Sequence, residues 1–458
     1  MTSPDPSLSR IIADHVAGLT LAALPAPVLH ATRRALLDAL GVMLAASGQA
    51  AEAAPYHALA RAQTGPARLL AGGQSTPALA ALANGALAHA LDYGDVFDAG
   101  PAHPHAALVP ALLALADTQP EATLDDILMA MAAGSDLACR LSLSGQRSYE
   151  EGGWYPPPLV GLIGAAAASA RLAGLDAEGI VQAMGLAMLS ASFPAEIKYD
   201  PASPVRAVRE GFAAQAAVTA TTLAQEGARA FADPLGGKGG FLAVYAGGAK
   251  RAVLLDQLGQ RFWGADVSFK PWPACRGTHA AIEAALLLRD RCPADSIASI
   301  EVETGLIQEM LISPPDAKAR PDSAIAAKFS IPFCIGLALA EGAVGLDSFG
   351  ADKRADPAIL SIAALVSARR NPAWGHAEAS SGSLTIHLKN GTRLHHDVPR
   401  ARGHAGNPLS DADLIAKFTD CAARAATALD AARAQALAES ILGADGRMRL
   451  ADLLSALA

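Results

Sequence analysis

Residues 160–175 read VGLIGAAAASARLAGL. Gly161, Gly164 and the run of alanines leave this stretch almost without side-chain bulk. Alanine is the best helix former, so the stretch is expected to be a helix with a nearly bare surface. Neighbours can approach such a helix closely, and it belongs at the centre of a helical bundle. The surrounding segments have the same period. SLSRIIADHVAGL, APVLHATRRALLDALGVMLAA, PALAALANGALAHALD, HAALVPALLALADT and TLDDILMAMAAGSDLACRLS carry apolar residues three and four apart. Ser, Thr, Asp or Pro often precede them as start signals, as in Thr123-Leu-Asp-Asp. From residue 7 to about residue 260 no segment alternates as a strand would.

Beyond about residue 262 the pattern changes. SIASIEVETGL (296–306) alternates and is rich in Ile and Val, which predicts a strand. GSLTIHLKNGTRLHHDV (382–398) is two alternating runs around Asn390-Gly391, a strong hairpin signal. THAAIEAALLLRDR (278–291), just ahead of the first of these, has helical spacing. NPLSDADLIAKFTDCAARAAT starts a further helix, with Ser410 as N-cap and Asp413 three residues on. The expected fold is mainly α: an all-helical domain over 1–262 and a smaller α+β domain over 263–404 containing the hairpin. The C-terminal helices, 405–458, are expected to complete the first domain, a return that periodicity alone does not decide.

A chain of 458 residues with 52% hydrophobic and 17% charged residues has ample material for a packed core. Its 36 basic and 44 acidic side chains give a net charge of −8, which argues against a nucleic-acid binder with a basic face. A local basic pocket for an acidic ligand remains compatible with that charge. The five cysteines are widely spaced and form no CxxC, which fits a reducing compartment. The N-terminus has no charged-then-apolar leader pattern, and polar residues or Pro interrupt each apolar run. The expectation is a cytoplasmic protein with neither membrane nor nucleic acid as a partner.

Against this Ala- and Leu-rich background, ALDYGDVFDAGPAHPHAA (90–107) holds Asp92, Asp95, Asp98, His103 and His105 with no Lys or Arg. Four readings compete. On a helix the three Asp would share a face and suit magnesium-diphosphate chemistry, but Gly94, Gly100 and Pro101 oppose a helix. No second magnesium motif follows. His103 and His105 would suit zinc, but no third ligand stands at a recognisable spacing. The stretch would also serve as a solvated loop. The last reading is a cleft loop in which Asp92 orients His103 for proton transfer.

LAHALDYGDVFDAGPAHPHAALVPALLALAD resembles the signature of the MmgE/PrpD family, a His-Ala-x-Asp-Phe-x-Asp stretch ahead of a His-Pro helix start. GGWYPPPLVGLIGAAAASARLAGLD is similar to that family's Gly-Trp-His-Pro stretch and the small-residue helix after it. VRAVREGFAAQAAVTATTLAQEG resembles its Lys-x-x-x-x-Gly-x-Ala-Ala helix, and FKPWPACRGTHAAIEAALLL its Lys-x-x-Pro-x-Cys-x-x-x-His element. AIAAKFSIPFCIGLALAEG and GHAGNPLSDADLIAKF match further segments, all in order along nearly the whole chain.

The resemblance implies a two-domain, homodimeric, cofactor-free enzyme acting on a small di- or tricarboxylate. It also implies chemistry that moves a proton at a carbon beside a carboxylate. Lyase chemistry is expected, dehydration ahead of decarboxylation, with epimerisation and a non-catalytic carboxylate binder as alternatives. Carried over by motif, the catalytic positions are Asp92, His103, Tyr155 and Arg206. His103 is the expected proton-transfer group and Asp92 its partner. Lys198, Arg209, Lys270, Arg276 and His279 are the expected substrate contacts, and no metal ligand is implied. His105 and Cys275 are read as structural. Three positions depart from the family pattern: Val96 replaces a Thr, Tyr155 a His and Arg206 a Lys. Tyrosine is a poor base near neutral pH, with a reference pKa near about 10. Arginine grips carboxylates but does not release its proton.

Overall fold

The computed structural model describes residues 6–200, 203–375, 378–443, 445–455 and 457. It divides into two compact units, Met1–Val267 with Ser410–Ala458, and Ser268–Leu409. The first unit is helical except for a two-residue antiparallel pair, Ala67–Arg68 with Gln74–Ser75, which corrects the all-helical expectation: it is too short to show as an alternating run. The main elements of this unit are α1 (Leu8–Gly18), α2 (Ala26–Gln49), α3 (Pro77–Ala88), α4 (Pro104–Ala116), α5 (Leu124–Leu143), α6 (Pro156–Leu172), α7 (Ala177–Met188) and α8 (Glu210–Gln225). None of the described helices is long and apolar enough to cross a membrane.

α6 is the small-residue helix, and it packs on α4, α5, α7 and α8. Every residue from Pro156 to Ala170 is buried. Glycines make possible the crossing of α6 with α5 and that of α8 with α3. A Cβ on Gly164 would lie 2.5 Å from the Gly134 carbonyl oxygen on α5, and one on Gly211 of α8 would lie 2.4 Å from the Leu82 carbonyl oxygen on α3. Both obstacles are backbone, so a side chain must push whole helices apart. Gly164→Val is therefore expected to destabilise the protein by about 2–3 kcal/mol or more, the range for overpacked cores. Chemical denaturation would check this; an unchanged midpoint would show that the crossing is slack. The N-caps follow the residues named above: Thr123 and Asp126 form a capping box ahead of α5.

The second unit contains α9 (His279–Leu288), α10 (Ile331–Glu341) and a four-stranded sheet. Its strands are β1 (Ile297–Thr304), β2 (Val366–Arg370), β3 (Gly382–Leu388) and β4 (Arg393–Val398), in spatial order β2-β1-β3-β4. β1 runs parallel to β2 and antiparallel to β3, and β3 pairs antiparallel with β4. The turn between β3 and β4 places Gly391 at φ +87°, a left-handed conformation that glycine adopts without a Cβ clash. Ile300, Val302, Leu384 and Ile386 of the sheet share a core with Phe333 and Ile335 of α10. α9 packs on β3, β4 and α10.

After this unit come α11 (Asp411–Ala423), capped by Ser410 with Asp413, and α12 (Ala431–Gly443), ahead of a short helix at Leu450–Ser455. α11 and α12 pack on α2 and so belong to the first unit.

Candidate active site

α3 ends at Ala88 and α4 begins at Pro104; the acidic, histidine-bearing stretch is the loop between them. The three Asp do not lie on a helix. Asp92 has φ +53°, a left-handed conformation that short polar side chains tolerate and that concentrates at functional sites. Phe97 anchors the loop by pairing with Ala102 and packing edge-on against Trp263, ring centroids 5.9 Å apart.

Asp95 organises both loop histidines. Its carboxylate lies 2.9 Å from His105 Nδ1. Its main-chain carbonyl lies 2.7 Å from His103 Nδ1. A carbonyl only accepts, so Nδ1 of His103 carries the hydrogen, and Nε2 is the nitrogen that gains and loses a proton. Burial alone would raise Asp95, but the charge and hydrogen bond of His105, with a contribution from His103, more than offset it and hold the carboxyl below its usual value. The expectation that Asp92 sets the tautomer of His103 is thus corrected: the loop turns the Asp95 carbonyl onto that ring. The Asp92 carboxylate lies 3.4 Å from Nε2 of His89, whose ring stands 4.4 Å from that of His103. Asp92, His89 and His103 thus lie together on this loop.

His89 was not among the sequence candidates. It stands three residues before Asp92, and one helical turn of spacing between an imidazole and a carboxylate was the available signal. His103 is half-buried, while Asp92, His89 and His105 are buried.

Tyr155 is buried at the N-terminus of α6, its N–H donating to the Phe193 carbonyl at 2.8 Å. The Arg209 guanidinium lies 4.9 Å from the centre of the Tyr155 ring, within cation–π range. Arg209 forms an ion pair with Glu210 at 3.2 Å. The Glu210 carboxylate is 3.9 Å from where a Gly161 side chain would begin, a point that also lies 3.5 Å from Ala107 of α4. The segments 89–107, 155–161 and 206–211 therefore converge. Arg206, on the short helix Val205–Val208, is half-buried, and its carbonyl accepts from Arg209.

Lys198 lies on the short helix Glu196–Tyr199, which packs on the helix of Arg206. It pairs with Glu150 at 3.1 Å, and both side chains are partly exposed.

The second unit, taken by itself, holds Lys270, Arg276 and His279, all buried. Arg276 donates to the carbonyls of Arg402 and Ala401 at 3.0 and 3.2 Å, so its fork closes the loop after β4 rather than presenting all five donors to a ligand. His279 Nε2 faces the Ala274 carbonyl at 3.2 Å and must donate there, leaving Nδ1 to accept from Arg276 at 3.3 Å. A cavity of about 400 Å³ in this unit, beside Thr304, Glu309, Ser367 and Arg370, is lined by none of these three.

A buried polar loop with an oriented imidazole, in the same unit as an arginine packed on a tyrosine ring, is the kind of grouping found in enzyme sites. Sequence comparison agrees with that class. The MmgE/PrpD N-terminal domain matches residues 10–253 and the MmgE/PrpD C-terminal domain residues 272–442. The chain belongs to the MmgE/PrpD family.

It is similar to the cis-aconitate decarboxylase of Mus musculus, 26% identical over 90% of this chain and 86% of that protein. It is also similar to the cis-aconitate decarboxylase-like protein oryM of Aspergillus oryzae (24%; 83% and 82% covered). The cis-aconitate decarboxylase of Aspergillus terreus is 23% identical (86% and 84% covered). These relationships make the chain an enzyme of the lyase type.

Proposed function

We propose that this protein decarboxylates a small unsaturated tricarboxylate of the cis-aconitate kind, without a cofactor. The relatives' activity moves the preference from dehydration to decarboxylation. In cis-aconitate the CH2–carboxylate bond is allylic to the double bond. When it breaks, carbon dioxide leaves and its electron pair forms a new double bond. The old π pair then takes a proton at the carbon that bears the far carboxylate. The transient charge spreads onto carboxylate oxygens, so the site needs a positioned proton donor and fixed cations.

His103 fits the first role, since the Asp95 carbonyl fixes its tautomer and Nε2 is its exchanging atom. Tyr155 is a second hydrogen-bond donor, and Arg209 and Arg206 supply positive charge in the first unit. The single observation that carries the reading is the imidazole of His103, held by Asp95 and backed by His89 and Asp92, in a chain of this family.

The test is incubation of purified protein with cis-aconitate in deuterated water, read by carbon dioxide release and mass spectrometry. Decarboxylation should place one deuterium on carbon in the product. Deuterium exchange without carbon dioxide would replace the reading with an isomerase, and water addition or loss with a hydratase. Binding with neither event would make the protein a carboxylate binder. We propose that the enzyme works as a homodimer in the cytoplasm, as the family resemblance implies.

A further inference from the structure

Arg209 and Glu210 are 1% and 0% exposed, and their charges meet at 3.2 Å. Yet Nε and Nη2 of Arg209 and both Glu210 carboxylate oxygens have no hydrogen-bond partner among the described residues. A buried pair that is incompletely hydrogen-bonded is a poor stabilising device, because desolvation costs as much as the attraction returns. Such a pair is better suited to changing its charge state. The surrounding groups leave Glu210 free to do so.

α3 carries no ionisable residue. On α4 the only one is His105, engaged by Asp95. On α6 it is Arg171, bound to the Ala17 and Leu19 carbonyls. On α7 it is Glu178, bound to Gln182 and Arg229. The charges that act on Glu210 are therefore Arg209 beside it and Asp95 beyond. Burial pushes its carboxyl up to about 7, with Arg209 pulling down and Asp95 adding to the rise.

We propose that Glu210 is a positioning residue that gates, through Arg209, the hold of this site on an anionic substrate. With Glu210 protonated, the charge of Arg209 acts on a ligand carboxylate near Tyr155. With Glu210 ionised, the pair is neutral and the ligand is held less tightly. By linkage, binding of the ligand draws a proton onto Glu210. The inference rests on the polycarboxylate reading above.

The experiment measures KM and kcat of the full chain for cis-aconitate between pH 6 and 8, in wild type and E210Q. Wild-type KM should rise on the order of tenfold across that range, the scale of one unit charge acting through partly screened protein. E210Q, which mimics the protonated carboxyl, should show a low and flat KM with kcat within about twofold of wild type at pH 6. A merely structural role would change stability without flattening KM. A flat wild-type profile, or a rise that persists in E210Q, overturns the proposal.

Calorimetry of cis-aconitate binding to wild type at pH 7.5, in two buffers of different ionisation enthalpy, provides a second reading if E210Q does not fold. Proton uptake supports the gate and its absence overturns it. A wild type that neither binds nor converts cis-aconitate overturns the polycarboxylate reading, and the gate with it. Binding without the pH effect removes the gate alone.

Discussion

His103→Ala is expected to lower turnover of cis-aconitate by about a thousandfold, within the range for a lost general acid–base, while leaving the helical circular dichroism unchanged. The argument is geometric. His103 sits immediately before Pro104, at the cap position of α4, and contributes no side-chain cap bond. Removing it therefore leaves the helix intact. What goes is the imidazole whose Nδ1–H the Asp95 carbonyl holds and whose ring packs at 4.4 Å from His89.

Asp95→Asn is the informative companion. It keeps the main-chain carbonyl that orients His103 and weakens the pair with His105. Its effect should fall on stability more than on turnover. If His103→Ala kept more than a tenth of the activity, the ring would be an ordinary loop residue and proton transfer would have to be assigned elsewhere.

What could be read from the sequence, and what could not, divides by range. The capping boxes at Thr123 and Ser410 are local: three residues decide them, and both form. The turn at Asn390-Gly391 is equally short in range, and β3 and β4 pair around it. β2 (VSARR) escaped notice because it is an edge strand with four of five residues exposed, so it has no buried alternation, and its partner β1 lies far back in the chain. The bare helix α6 announced its close packing through its composition, but not which glycine would meet which carbonyl.

The same limit applied at the site. Arg209 looked like one of several basic residues at a helix start. Its burial against Glu210 and Tyr155 depends on the crossing of α8 with α3, α4 and α6, which no single segment encodes. The Asp95 contact to His103 Nδ1 is made by the main-chain carbonyl, in a loop whose backbone is left-handed at Asp92, and no side-chain pattern announces it.

Lys417→Met should destabilise the first unit by about 3–5 kcal/mol, the usual cost of breaking a buried ion pair by removing one partner. Lys417 on α11 donates to the Asp38 carboxylate of α2 at 2.6 Å and to the Tyr93 carbonyl at 2.8 Å, and lies 3.8 Å from the centre of the Tyr93 ring. Burial already raises the Asp38 carboxyl above its ordinary value, with Lys417 opposing that rise. Without the ammonium, the main opposition to that rise is gone and only the weaker influence of His105 remains.

The sign follows. A carboxyl raised in the folded state favours folding at low pH and loses that contribution as the pH climbs through its folded value. The penalty in Lys417→Met should accordingly be larger at pH 8 than at pH 5 in urea denaturation, and Asp38→Asn in the same background should recover much of it. Equal penalties at the two pH values would mean that lost packing, not an abandoned charge, is the cause. Tyr93 lies between Asp92 and Asp95, so Lys417 also tethers the loop that holds His103. Folded Lys417→Met should therefore turn over cis-aconitate more slowly than wild type even well below its unfolding midpoint, because the tether that joins the C-terminal helices to the catalytic loop is gone.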